Sequence, residues 1–188
     1  MDFKPIPNDQ SQPFAGGRAG SRRILGVDPG LQNTGYAVID TGVRRLLVSE
    51  AGVIRSTAKR TALEMASRVQ NLYDSIVEVI KEFEPHVMAV EQLYAHYAHP
   101  RTAIQMAHAR GVIFLAAAQH DLTVHSYNAT RIKKTITGNG RAPKDQVQRT
   151  IQRELRLTKL PEPPDVADAL AVALCHYYLQ VLPAAERA

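Results

Sequence analysis

Cysteine is almost absent. A single one, Cys175, stands in a chain of 188 residues, which excludes an internal disulfide and a cysteine-based zinc site and fits a reducing cytoplasm. Long apolar runs are absent too: the uncharged stretches end short of the ~20 residues that a bilayer span needs, so no membrane partner is expected. The opening segment, MDFKPIPNDQSQPF, lacks the basic-then-apolar order of a secretory leader. No internal repeat is visible. What is present is a chain of about one domain's length, with 45% hydrophobic residues to build an ordinary core.

The charge is unevenly spread. The chain carries a net +5. Residues 128–159 alone hold nine basic side chains (Arg131, Lys133, Lys134, Arg141, Lys144, Arg149, Arg153, Arg156, Lys159) against Asp145 and Glu154, so the rest is slightly acidic. A local cationic stretch is either a solvated helical face or the footprint of a polyanion. The second reading gains weight only if the chain also carries chemistry suited to phosphates.

Residues 1–22 are rich in proline and glycine and poor in aliphatics, which predicts a flexible tail. A single domain is expected over 23–182, with a short tail at 183–188. Three extended segments follow the first tail, Arg23–Asp28, Thr34–Asp40 and Arg44–Arg55, separated by turn chemistry that favours an antiparallel meander. Apolar residues from Leu63 to Phe83 recur at helical steps, from an opening at Thr61 to a close before Pro85. His86–Leu93 is a short continuous apolar run, as in a strand buried on both faces. Further elements are a helix over Arg101–Gln119, a strand over Thr123–Tyr127, a helix capped by Asn128 and ending near Gly138, a helix over Lys144–Leu157 with Pro143 in its first turn, and a last helix from about Pro164 to Leu182. The order predicts an α/β fold with a mixed five-stranded sheet, the fourth strand parallel to the first.

Four carboxylates stand out in this frame. Asp28 and Glu91 each close an apolar strand, at the carboxyl end, where open α/β sheets bind their ligands. Asp165 and Asp168, three apart at the start of the last helix, project from one face. Two like charges at ~4 Å repel by roughly 4 kcal/mol at an effective dielectric near 20, so four gathered acids need protons or divalent cations. Oxygen-only donors select hard ions, magnesium or manganese rather than zinc. Two such ions suit in-line phosphoryl displacement. Each acid also has an ordinary reading: Asp-Pro-Gly as a plain turn, Glu91 as half of a surface ion pair, Asp165 as a helix cap, Asp168 as a complement to the helix dipole.

The ordered set Ile24-Leu25-Gly26-Val27-Asp28-Pro29-Gly30 with Thr34-Gly35-Tyr36, Ala89-Val90-Glu91-Gln92 and Asp165-Val166-Ala167-Asp168-Ala169-Leu170-Ala171 resembles the bacterial RuvC-type Holliday junction resolvases. Ala109-Arg110-Gly111-Val112 and the segment from Lys133-Lys134-Thr135 through Gly138-Asn139-Gly140 to Lys144 fit the same pattern, and the likeness spans about residues 23–182. The resemblance implies a ribonuclease H-like fold and a homodimer. It implies cleavage of four-way DNA junctions by paired symmetric nicks that leave 5′-phosphate ends, with two Mg2+ or Mn2+ ions per active site. Branch-migration proteins RuvA and RuvB are the implied partners, and the implied setting is the bacterial cytoplasm, at the nucleoid. Asp28, Glu91, Asp165 and Asp168 match the family's metal-binding acids, and Lys133 and Lys144 its lysines near the scissile phosphate. Tyr94 falls where relatives carry a phenylalanine that engages junction bases. Arg131, Lys134 and Arg141 complete the candidate DNA-binding set.

Other readings use the same residues. The D-P-G-x-x-x-T-G-Y pattern is similar to the first phosphate loop of actin and sugar-kinase ATPases, but their further glycine-rich nucleotide loops are missing. A non-catalytic protein of branched DNA would use 128–159 alone, and four acids would then repel its phosphates. A nuclease of the same fold acting on RNA is the remaining alternative. His96 and His99, three apart beside Pro100, read as loop residues rather than a zinc pair, Cys175 as buried packing, and the alanine-rich helix at 101–119 as a candidate dimer surface.

Overall fold

Strand alternation organises the molecule. The computed structural model describes residues 22–42, 45–56, 62–93 and 100–181. Strands β1 (Arg22–Asp28), β2 (Asn33–Thr41) and β3 (Leu46–Arg55) form the meander. Helix α1 (Ala62–Phe83) then leads to β4 (Val87–Glu91), and α2 (Pro100–Gln119) to β5 (Thr123–Tyr127). Helices α3 (Ala129–Thr137), α4 (Lys144–Glu154) and α5 (Pro164–His176) follow, the last running into a π-helical turn, Tyr177–Val181. The sheet order is β3-β2-β1-β4-β5, with β1 antiparallel to β2 and parallel to β4, and β4 parallel to β5. The expected mixed five-stranded sheet is therefore present. Among the described residues no helix is long and apolar enough to cross a membrane.

Several boundaries move. Arg22 already belongs to β1, where its amide donates to Thr41 Oγ1 at 2.9 Å. The fourth strand shortens to Val87–Glu91, so Glu91 is its last residue. The fourth helix ends at Glu154 rather than Leu157, and Pro143 stands one residue outside it as the N-cap. The last α-helix ends at His176, five residues before the π-turn finishes. The tail before Arg22, Thr61, Tyr94, His96, His99 and the residues beyond 181 lie outside the described residues.

Side chains two apart on a strand share a face, and the core divides accordingly. Leu25, Val27, Val38, Met88 and Val90 pack with Leu72, Ile76, Val79 and Ile80 of α1 and Ile113 of α2. Ile24, Ile39, Val87, Ala89 and Tyr127 point the other way, towards α3, α4 and the buried residues Val166, Ala167 and Ala169–Cys175 of α5. Leu170 and Leu174 are both fully buried, each worth roughly 1.5–3 kcal/mol relative to exposure. Near the far end of α5, the Tyr127 hydroxyl meets His176 Nδ1 at 2.9 Å, and burial pushes the imidazole down to about 4, so it stays neutral. Continuing the same alternation by one step puts the side chains of Asp28 and Glu91 on the α5 face, one at the end of each parallel strand.

Candidate metal centre

Helix α5 reaches the strand ends because two glycines let it. A Cβ on Gly26 would lie 2.4 Å from the carbonyl oxygen of Ala169, and one on Gly35 would lie 2.0 Å from that of Asp165. Neither contact is sterically possible, so glycine is required at both positions for this helix to lie directly on β1 and β2. Gly35 is also the register partner of Asp28. The first turn of α5 is thereby seated beside the first carboxylate. The motif Thr34-Gly35-Tyr36 has a separate part for each residue. The Thr34 hydroxyl bonds both the carbonyl and the amide of Gly30 and ties the turn after Asp28. Gly35 admits α5, and Tyr36 packs into the opposite face of the sheet.

The resulting cavity, about 260 Å³, is lined by Asp28, Glu91, Asp168, Lys133, Lys144 and Gln148, among others. Burial first, then repulsion from Glu91, Asp168 and Asp165, raises the Asp28 carboxyl to about 8, with Lys144 opposing. Glu91 is raised to about 7 by burial and by Asp168, with Lys144 and Lys133 opposing. Lys144 Nζ approaches Asp168 Oδ2 at 3.4 Å, but with the lysine side chain 73% exposed this contact is weak. The lysines therefore do not neutralise the acids.

Asp165 does not line the cavity, although its charge reaches Asp28. Nor does it cap its helix, since the N-cap is Pro163, preceded by a cis peptide bond, and no side-chain cap bond forms. Lys133 is half-buried in the cavity wall, whereas Arg131, Lys134 and Arg141 are exposed outside it. Asn128 caps α3 through the Arg131 amide at 2.8 Å, and Gly138 ends that helix at φ 77°. Those two signals set where Lys133 stands.

Two contributors were missing from the sequence reading. Gln148 lies one helical turn after Lys144 and shares its wall, which the (i, i+4) rule on α4 would have found. Arg110 donates to the Glu91 carbonyl and, at 2.7 Å, to Ser126 Oγ, and it lies over the Phe114 ring. It fastens the end of β4 from the α2 side. The Ala-Arg-Gly-Val segment was visible in the sequence, but nothing local connects it to Glu91.

The donor set suits a hard divalent cation: carboxylate oxygens at strand ends, two of them held near neutral pH by burial and mutual repulsion. Among the described residues no three acidic, cysteine or histidine side chains close into a finished coordination shell. The acids face a shared cavity rather than a common point. Burial pushes the Cys175 thiol up to about 11, so it serves as packing and not as a ligand.

A mixed sheet in this order, with acids at the carboxyl ends of its central parallel strands and a helix laid across them, defines a ribonuclease H-like protein. A family model described as crossover junction endodeoxyribonuclease RuvC matches residues 24–176. The crossover junction endodeoxyribonuclease RuvC of Rhodopirellula baltica is 51% identical over 83% of this chain and 86% of its own, and that of Hydrogenovibrio crunogenus 44% identical over 82% and 87%. The solved structure of T. thermophilus RuvC with a Holliday junction substrate superposes with a TM-score of 0.76 at 28% identity, covering 82% of this chain and 92% of that one. The chain belongs to the RuvC family of crossover junction endodeoxyribonucleases.

Proposed function

We infer that this protein resolves Holliday junctions in recombination and repair, nicking two opposed strands symmetrically by metal-dependent phosphodiester hydrolysis. The observation that carries this reading is the gathering of Asp28, Glu91 and Asp168 with Lys133 and Lys144 around one cavity. Membership of a family whose nucleases are metal-dependent supports it.

We assign Asp28, Glu91, Asp165 and Asp168 as the holders of two Mg2+ or Mn2+ ions, with Asp28 central because it couples to all three others. Bound ions of this kind lower the pKa of a water and stabilise charge on the leaving oxygen. The chain's own groups do the rest. The acids would hold the ions at the strand ends, in their half-buried setting. Lys133 and Lys144 draw the scissile phosphate into the cavity and offset its charge. Arg131, Lys134 and Arg141 contact the backbone of a duplex arm, which positions it without reading sequence. Tyr94 is assigned to stacking on a base at the crossover, an interaction worth ~1–3 kcal/mol.

A substrate with two equivalent strands calls for two sites, and an isologous dimer supplies them. The outward side of α2 supports that surface, with Ile104 56% and Leu115 51% exposed. We propose one domain over about 23–182, extended at its start by Arg22 of β1, with a short segment on either side. Cooperation with RuvA and RuvB, and a bacterial cytoplasmic setting at the nucleoid, follow from family membership alone.

A synthetic four-way DNA junction, a linear duplex and an RNA–DNA hybrid, each incubated with and without Mg2+, test the reading. Paired nicks in the junction alone, only with Mg2+ and with 5′-phosphate ends, are expected. Cleavage of the hybrid in preference to the junction, or nicking in chelator, would overturn it.

A further inference from the structure

The cationic stretch has a second side. On α4, Val147 and Ile151 turn into the core, while Lys144 and Gln148 line the acidic cavity. Arg149 lies five residues beyond Lys144, about 140° around a 3.6-residue helix, and Arg153 falls one turn further on. These two arginines therefore stand on the opposite flank. There they line a polar groove of about 450 Å³ between α3 and α4, with Ile136, Thr137, Asp145 and Thr150. None of these residues belongs to the acidic cavity.

We propose that this groove seats a DNA backbone phosphate, held by Arg149 and Arg153, at a second point on the substrate away from the scissile bond. The proposal rests on the junction reading above. Gln146 and Asp145 line the groove as well, but its two hydroxyls are already engaged. Thr137 Oγ1 donates to the Lys133 carbonyl and Thr150 Oγ1 to that of Gln146, each at 2.8 Å. The hydroxyl protons are thus spent on the helices themselves, and the guanidiniums are the cationic donors that remain.

Nor are the arginines absorbed by acids. Asp145, one turn before Arg149, forms no ion pair with it, and among the described residues Arg149 has no carboxylate partner. Arg153 meets Glu154 at 3.4 Å with 77% of its side chain exposed, while Tyr178 holds the other Glu154 oxygen at 2.6 Å. An exposed pair of that kind is weak. Planar guanidiniums one turn apart match the oxygens of a phosphodiester. DNA is favoured over an acidic protein partner because the same helix delivers Lys144 to the proposed scissile phosphate, so an arm entering the cavity runs along α4.

The test is the salt dependence of junction binding, by fluorescence anisotropy of a labelled four-way junction with the full chain in chelator. For Arg149→Gln/Arg153→Gln the slope of log K against log salt should become shallower by about 1, for the one phosphate contact given up. The single-turnover nicking rate with Mg2+ at saturating protein should stay within about twofold of wild type. Arg149→Lys/Arg153→Lys should keep most of the slope. An unchanged slope in the glutamine variant, beside a wild type that binds and nicks, overturns the groove alone and hands it to a protein partner. A wild type that neither binds nor nicks the junction overturns the junction reading as well.

Discussion

The two faces of the sheet are packed by different rules. Behind it, α1 and α2 meet the strands through large aliphatics, Leu72, Ile76, Val79 and Ile113 against Leu25, Val27, Met88 and Val90. In front, α5 carries alanines at 167, 169, 171 and 173 and rests on Gly26 and Gly35 with its backbone almost touching the strands. Bulky packing keeps helices at a distance and tolerates exchange of volume. Small-residue packing fixes one distance and permits no other. The acids sit on the face whose spacing is fixed, and the difference shows which contacts set geometry and which supply stability.

Removing the central acid is the most severe way to sharpen that contrast. Asp28→Asn keeps the shape of the side chain and takes away the carboxylate that Glu91, Asp165 and Asp168 all crowd and that an ion would need. Cleavage of a four-way junction should fall by at least ~10²–10³-fold, while junction affinity in chelator near neutral pH holds, because Asp28 there already keeps its proton and the change removes no charge. Nicking rates and binding isotherms on the same preparation check both halves.

The next largest effect sets face against face. Gly35→Ala forces a Cβ to 2.0 Å from the Asp165 carbonyl, so α5 must shift. The stability cost of such overpacking is about 1–3 kcal/mol, and nicking should suffer more than stability, since the shift moves Asp165 and Asp168 together. Leu72→Ala, on the rear face and 3% exposed, should cost about 2–5 kcal/mol yet leave the nicking rate per folded molecule near wild type. Chemical denaturation alongside single-turnover nicking separates the two. Equal losses of activity in both variants would show that the faces do not differ in this way.

The sequence carried much of this. The continuous apolar runs of β1 and β4, each closed by an acid, marked strands buried on both faces and their carboxyl ends, and the order of strands and helices with right-handed crossovers set the two parallel. They did not predict how Gly35 works. A glycine in a strand reads locally as a weakness, and only the arrival of α5 from more than a hundred residues away makes it a seat. Asp165 looked equivalent to Asp168, yet three residues on a helix also rotate one side chain out of the cavity. Arg110 was legible as part of a motif but not as a clamp, since its partner carbonyl is brought to it by the sheet.

Titration gives a smaller effect with a definite sign. Asp28 and Glu91 keep their protons to about 8 and about 7 in the folded chain, whereas an unfolded chain releases them near the ordinary carboxyl value. The folded state therefore binds more protons across roughly pH 4 to 8, and the contribution of these groups to stability is lost as pH rises through that window. In chelator the melting temperature should decline over this range, and less so in Asp28→Asn. With Mn2+ present the trend should flatten or reverse, because ion binding displaces the protons and strengthens with pH. A decline of equal size in Asp28→Asn would detach it from these carboxyls.

The faintest effect belongs to a residue that ties the rear helices to the end of β4. Arg110 stands on α2, on the aliphatic side, yet its guanidinium holds the Glu91 carbonyl and Ser126 Oγ and so fixes where β4 ends. Arg110→Gln loosens that carbonyl without touching any side chain in the acidic cavity. A lost hydrogen bond to a charged donor is worth about 1.5–3 kcal/mol, and only the fraction that reaches the Glu91 side chain is felt in the reaction, so a fall of about threefold to tenfold in the nicking rate at saturation is expected. Junction affinity should not change, because the residue is assigned no phosphate. The half-saturating Mn2+ concentration, read by nicking and by direct titration without DNA, should rise together with that fall, since a wandering Glu91 holds an ion less well. A rate loss with unaltered Mn2+ affinity would mean that Arg110 supports the sheet edge in general and not the carboxylate at its end.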